Sequence, residues 1–407
     1  MERKWKSNNH LLKTCSMNVF SNLAQNVAAV FFLMIIALPG FAQNDFKIKD
    51  VSGFQDSRHH WMDITDHSQV ITPVKDQSGY QPSDIGHIAD NILMYQQPNG
   101  GWPKNYDMLV ILTDKQKEIL LQHKDSLHTT FDNGATYTQI EYLAKAYTLL
   151  HDKRYEEAVL NGLNFIFESQ YDNGGWPQFY PDVSGYRKYI TFNDGAMIGV
   201  MSVLQHIVQH EPYYSFINDE MRNKAKLSYR KGVDCILKCQ IVEHGVPTVW
   251  CQQHDNNTLQ PVGARTFELA SKASSESSDI VRFLMREKNP DPKIVEAIKA
   301  AVAWFKKVEI KNTLVKTISA EDTVYKYHEA KFDRVVVTDS AAPPIWTRYY
   351  ELQTDRPMFA NRDGKKVYKL SEVSRERRTG YAWYGYWPQR IIASEYPKWL
   401  QKNQSIN

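Results

Sequence analysis

The chain has 407 residues, 42% of them hydrophobic and 23% charged, with 10 Trp, 23 Tyr and 17 Phe. That composition excludes disordered, collagenous and disulfide-framework proteins, and the length suits one large domain or two smaller ones. The formal net charge of +3 is accounted for by Arg3, Lys4, Lys6 and Lys13 against Glu2, so the rest of the chain is electrically balanced and nothing in it points to nucleic acid.

Those basic residues precede an apolar run at 27–38 (VAAVFFLMIIAL) and then Pro39, Gly40, Phe41 and Ala42. Small residues at −3 and −1 of a cut after Ala42 read as a signal peptide over 1–42, and the apolar run is too short to span a bilayer comfortably. The expectation is an exported protein, periplasmic or extracellular, with no membrane partner after cleavage. Residues 43–76 carry too little pattern to place and read as an N-terminal extension. Cys235, Cys239 and Cys251 remain, an odd number. With His254 they have the spacing of a zinc set, although Cys235 and Cys239 also suit the buried face of a helix.

From residue 77 onward the chain repeats itself. Gln96-Gln97-Pro98-Asn99-Gly100-Gly101-Trp102-Pro103 resembles Gln170-Tyr171-Asp172-Asn173-Gly174-Gly175-Trp176-Pro177, and Gln240 to Pro247, with Trp250 behind, is a degenerate third copy. Each copy ends a helix-like stretch, at 83–97, 153–170 and 219–240, where Gly and Pro force a turn. A second motif follows each one: Phe131-Asp132-Asn133-Gly134-Ala135, Phe192-Asn193-Asp194-Gly195-Ala196, and Gly263-Ala264-Arg265. Each opens another apolar helical face, the third over 266–286, and an extra helix is expected at 114–128. Helix pairs stacked around an axis would bring Asp132, Asn133, Asn193, Asp194 and Arg265 to one rim. The plainer reading makes Asp132 and Asp194 helix N-caps.

After a last helix at 293–309, short strands are expected at 323–327 and 334–337, followed by loop-rich, aromatic sequence around Trp346, Arg348, Arg362 and the 380–387 run. Trp383 and Tyr384 in that run are candidate sugar-binding aromatics; the alternative is a packed aromatic cap over the helices. No linker separates this part from the helices, so 77–400 reads as one catalytic domain with a 401–407 tail.

Oxygen ligands without clustered His favour a hard cation, Ca²⁺ or Mg²⁺, and arginines beside them suit an acidic polysaccharide. Calcium on a uronate carboxylate would acidify the C5 proton for a nearby base. At this point the combined motifs, together with 342–351 (APPIWTRYYE), resemble polysaccharide lyase family 10 pectate lyases over roughly 77–395. The resemblance implies an all-α fold, an (α/α)3 toroid with short β-strands and long loops in its C-terminal part. It also implies calcium-dependent anti β-elimination on polygalacturonate. By the same resemblance Arg265 is the proton-abstracting residue, Asp194 and Asn133 belong to the calcium region with Asp132 beside them, and Arg348 and Arg362 hold uronate carboxylates. Lys104, just after Trp102-Pro103, joins the substrate contacts. A monomer is expected.

Three rival readings remain. A uronide hydrolase would use Asp132 and Asp194 as acid and base. A non-catalytic glycan-binding toroid would keep the aromatics. The Gln-x3-Gly-x-Trp spacing also suits triterpene cyclases, but the chain lacks their Asp-x-Asp-Asp proton donor.

Overall fold

The computed structural model describes residues 48–64 and 69–404. The signal peptide read over 1–42 lies outside the described residues, as do the last three residues of the 401–407 tail. Helices α1 (Gln55–Met62), α2 (Ile85–Tyr95) and α3 (Asp114–Gln122) lead into α4 (Tyr137–Leu150), α5 (Lys153–Glu168), α6 (Ala196–Val208), α7 (Asp219–Cys239), α8 (Ser274–Met285) and α9 (Pro292–Lys307). Short polar side chains start several of them: Asn218 Oδ1 accepts from the Met221 amide at 2.9 Å, and Thr113 and Gln116 form a capping box on α3.

Three hairpins, α4–α5, α6–α7 and α8–α9, pack side by side. Within them α4, α6 and α8 follow one another on the inside and α5, α7 and α9 on the outside, with α2 against α4 and α5. The most apolar helix, α6 (AMIGVMSVLQHIV), is buried on nearly every side, as an inner position requires. This is the all-α, (α/α)3 toroid expected from the sequence, and the described residues form one compact unit.

The repeated Gln and Trp residues stitch the pairs together. Gln96 Nε2 donates to the carbonyls of Gly100 in its own loop (2.9 Å) and Ala158 in the next outer helix (2.8 Å). Gln170 does the same to Gly174 and Ser228, and Gln240 to Thr248 and Ala297. Trp102, Trp176 and Trp250 each donate from Nε1 to a carbonyl of the preceding outer helix, at Ile92, Ile166 and Ile236, over 2.7–2.8 Å. Gly100 and Gly174 hold φ of +88° and +94°, and a Cβ there would meet the Asn161 and Lys231 carbonyl oxygens at 2.2 and 2.0 Å. Only Gly fits that approach.

A fourth stitch is present. Trp346 Nε1 donates to the Phe305 carbonyl of α9 at 2.9 Å. Between them rises a long antiparallel hairpin, Thr313–Val324 with Glu329–Thr338, where only shorter strands were expected. It leans on α10 (Arg375–Thr379). The chain closes with α11 (Tyr396–Gln404).

The helix expected over 266–286 begins only at Ser274. Residues 265–268 are held in a tight turn by the Glu268 amide on the Arg265 carbonyl (2.7 Å), and Lys272–Ala273 pairs with Tyr349–Tyr350 as a strand. Phe267 therefore joins a second core with Tyr349, Phe359, Leu370 and Trp383 rather than a helix face.

Candidate active site

The two Asx-Gly-Ala motifs fold alike. Asn133 and Asp194 sit at φ of +50° and +48°, a left-handed conformation that Asn and Asp tolerate, each followed by Gly at positive φ. The two turns are neighbours at the toroid rim, and α1 packs against the first. Neither aspartate caps a helix. The N-cap positions of α4 and α6 are Thr136 and Gly195, without side-chain cap bonds, and Asp132 turns instead to Lys104 Nζ (2.6 Å) and Gln178 Nε2 (2.8 Å).

These turns form the floor of a cleft of ≈ 780 Å³ that also takes in Lys104, Asn133, Asp194, Arg265, Arg362 and Arg377. Sequence-distant positions meet there, as the repeat geometry requires. Asn133 donates from Nδ2 to Asn105 Oδ1 at 2.8 Å. Asp194 is exposed to the cleft yet surrounded by protein. Burial, and next the Asp132 charge, push its carboxyl up to about 7. Burial would raise Asp132 as well, but Lys104 and Gln178 hold it below the ordinary carboxylate range.

Arg265 binds Glu268 through both Nε (2.8 Å) and Nη2 (2.5 Å), so its Nη1 has no partner among the described residues. Burial disfavours the Arg265 charge, but the Glu268 carboxylate outweighs that and holds the guanidinium well above its ordinary range. Glu268 also accepts from Tyr381 Oη at 2.9 Å. Arg362 and Arg377 share Glu376 between them in two bidentate pairs of 2.7–2.9 Å. The guanidinium groups of Arg265, Arg362 and Arg377 all lie within 4.7–5.4 Å of the Phe267 ring.

Three residues expected at the substrate, Arg348, Trp383 and Tyr384, do not line the cleft. Arg348 lies beneath the cleft surface with its side chain 12% exposed, bound to Glu276 and, through Nη2, to Asn193 Oδ1 at 2.9 Å. Asn193 Nδ2 donates in turn to Asp194 at 2.5 Å, so Arg348 reaches the floor from behind. Trp383 is buried in the second core, its Nε1 on the Arg377 carbonyl. Tyr384 pairs with Thr347 in a two-residue strand, and both aromatics face a separate small cavity. The aromatic-cap alternative describes them better. The zinc set is also absent: both ring nitrogens of His254 are engaged with backbone at Cys251 and Leu259, and no metal-binding group of three His, Cys, Asp or Glu side chains occurs among the described residues.

Sequence reasoning missed Gln178, and the repeat contained the signal. Lys104, Gln178, Gln252 and Arg348 each stand two residues after a stitching Trp. Lys104 and Gln178 meet on Asp132, while the Gln252 carbonyl accepts the Phe192 and Asn193 amides and Arg348 holds the Asn193 side chain. Asp56, His59 and His60 of α1 also line the cleft, from a helix too short and polar to be read from its pattern.

A family model described as pectic acid lyase matches residues 96–392. The chain belongs to the pectate lyases of polysaccharide lyase family 10. Among solved structures it is similar to a family 10 polysaccharide lyase from Cellvibrio cellulosa, at 34% identity and a TM-score of 0.66, covering 78% of this chain and 93% of that one. An aspartate-to-alanine mutant of the same enzyme, in complex with trigalacturonic acid, gives 34% identity and 0.66 over 76% and 91%. No curated protein matches the chain. The chain is a lyase acting on polysaccharides.

Proposed function

We propose that this pectate lyase cleaves polygalacturonate by calcium-dependent anti β-elimination, giving 4,5-unsaturated oligogalacturonides, and that it works as an exported monomer in the periplasm or outside the cell. The observation that supports the reading most is the meeting of Asp132, Asp194 and Arg265 in one cleft beside Arg362. A solved relative carrying trigalacturonic acid supports the substrate class.

The donor set fits a hard cation. Asp194, the Asn133 amide oxygen and Asp132 can all serve as oxygen ligands; burial first and the Asp132 charge second raise the Asp194 carboxyl, and a cation would relieve the repulsion between the two carboxylates. With so few protein carboxylates, water and substrate oxygens would complete the shell. Calcium, when bound, would draw charge from the uronate carboxylate and acidify its C5 proton.

This chain's own residues do the rest. Arg362, steadied by Glu376, presents a planar cation to a uronate carboxylate. Lys104 and Gln178 fix Asp132, and Arg348 fixes Asn193 and through it Asp194. Arg265 takes the C5 proton on its unpartnered Nη1; the C5–H electrons form the C4–C5 double bond as the C4–O4 bond breaks, and O4 leaves to take up a proton. Because Glu268 favours the charged guanidinium, Arg265 is neutral only at high pH, and the reaction is expected to run best in alkali.

The test is near-ultraviolet absorbance on polygalacturonate at alkaline pH, with Ca²⁺ and then with excess EDTA. An absorbance rise that EDTA abolishes and Ca²⁺ restores is expected. Reducing ends released without a chromophore would mean hydrolysis by Asp132 and Asp194 instead.

A further inference from the structure

The hairpin Thr313–Val324/Glu329–Thr338 occupies a place in the repeat where the other copies have almost nothing. The stitching Trp follows its partner carbonyl by 10 residues in the first two copies and 14 in the third, but by 41 in the fourth. The added chain is not a loose flap. Arg375 donates to the carbonyls of Ala330 and Phe332 (3.0 and 3.1 Å), and Arg378 grips Asp333 bidentately at 2.9 and 2.6 Å. His328 Nε2 meets Thr379 Oγ1 at 3.1 Å. The hairpin is thus a fixed wall, and its Tyr327, His328, Phe332 and Arg334 face the cleft.

Arg334 stands out on that wall. Each other Lys or Arg lining the cleft has a carboxylate within ion-pair distance: Lys104 has Asp132, Arg187 has Asp182, Arg265 has Glu268, and Arg362 and Arg377 share Glu376. Arg334 has none among the described residues. Its neighbour Asp333 is already held by Arg378. One Arg334 nitrogen, Nη1, donates to the carbonyls of Arg378 (3.1 Å) and Tyr381 (2.9 Å), which sets the guanidinium plane and leaves Nε and Nη2 uncommitted. Arg334, Arg362 and Arg377 all act on His328, so three guanidinium charges crowd a region where Glu376 supplies the counter-charge. Half-buried and uncompensated, Arg334 is also pulled below its ordinary range by desolvation. A fixed cation without a counter-ion in a cleft is a place for an anionic ligand group.

We infer that Arg334, carried into the cleft by the inserted hairpin, binds a carboxylate of the uronate chain and adds a binding position to those built on the regular repeats. The inference rests on the reading of polygalacturonate as substrate. Its test is affinity electrophoresis in gels containing polygalacturonate, with KM and kcat measured in parallel, for the wild type, Arg334→Gln and Arg334→Lys. Arg334→Gln should weaken binding and raise KM about ten-fold with kcat within about two-fold, and should flatten the salt dependence of binding. Arg334→Lys should keep part of the affinity. Wild-type binding and KM in Arg334→Gln would overturn the inference while leaving the polygalacturonate reading intact. A wild type that neither binds nor cleaves polygalacturonate would overturn that reading first. Should Arg334→Gln fail to fold, Arg334→Lys decides: affinity reduced but not abolished supports the contact, because a point charge replaces the planar fork, and wild-type affinity with wild-type KM overturns it.

Discussion

The first three copies of the repeat and the fourth do different work with the same stitch. In the first three a helix, a short Gly-Pro turn and a Trp bring small polar groups to the rim: Asn133 and Asp194 in their left-handed turns, Lys104 and Gln178 on Asp132. In the fourth the Trp346–Phe305 bond is kept, but the connection carries a hairpin that bears Arg334, and the chain beyond it brings in Arg362 and Arg377, with Arg348 behind. A repeated framework positions the carboxylate and amide side chains of the floor, and an irregular fourth unit supplies further cations. The difference shows how a repeat protein acquires one-sided chemistry: the interface terms stay constant while one connection grows.

The sharpest way to break this comparison is at the floor. Asp194→Ala should lower kcat by on the order of 10³-fold with the fold intact, whereas Arg362→Ala should act mainly through KM, by about ten-fold; steady-state kinetics on polygalacturonate separate the two. Equal effects on kcat would erase the division between ligand floor and cationic wall. Next come the stitches. Trp176→Ala and Trp346→Ala should each destabilise by about 3–5 kcal/mol in denaturant unfolding, since both bury a whole indole and strand a helix carbonyl. A Trp346→Ala variant near wild-type stability would remove the fourth copy from the framework.

The smallest effect is in acid. Burial would raise the Glu376 carboxyl, but Arg377 and Arg362 outweigh it and hold it at about 2, below its unfolded value of 4.5. A depressed carboxyl stabilises the folded state above the unfolded value and loses that contribution as pH falls toward the folded one. Hydrogen-exchange protection at α10, relative to the intrinsic rate at each pH, should therefore fall between about pH 4.5 and pH 2, ahead of the buried inner helix α6. A uniform fall would say that the wall and the framework share one stability.

Much of this arrangement was legible. The Gln and Trp of the repeat, the two Asx-Gly-Ala turns and Arg265 are visible because a ring of helix pairs needs the same turn at each station. What escaped has physical reasons. Gln178 occupies the position of Lys104, but only the charged residue drew notice. Trp383 and Tyr384 looked like sugar platforms because composition cannot tell a packed aromatic from an exposed one, and Trp383 proved to be core. Arg348 follows the fourth Trp, so its place at the rim was readable, but its turn inward to Glu276 was not. The start of α8 was set by the Arg265–Glu268 turn and the Lys272–Ala273 pairing, which no periodicity records.

Arg265, held charged by Glu268, must lose a proton to act as the proposed base. The most direct measurement is the pH dependence of kcat/KM on polygalacturonate at saturating Ca²⁺, where proton competition at Asp194 is suppressed. The wild-type rate is expected to keep climbing from about pH 6 to about pH 10, with no such climb in Arg265→Ala. A flat wild-type profile over that range would contradict Arg265 as the base.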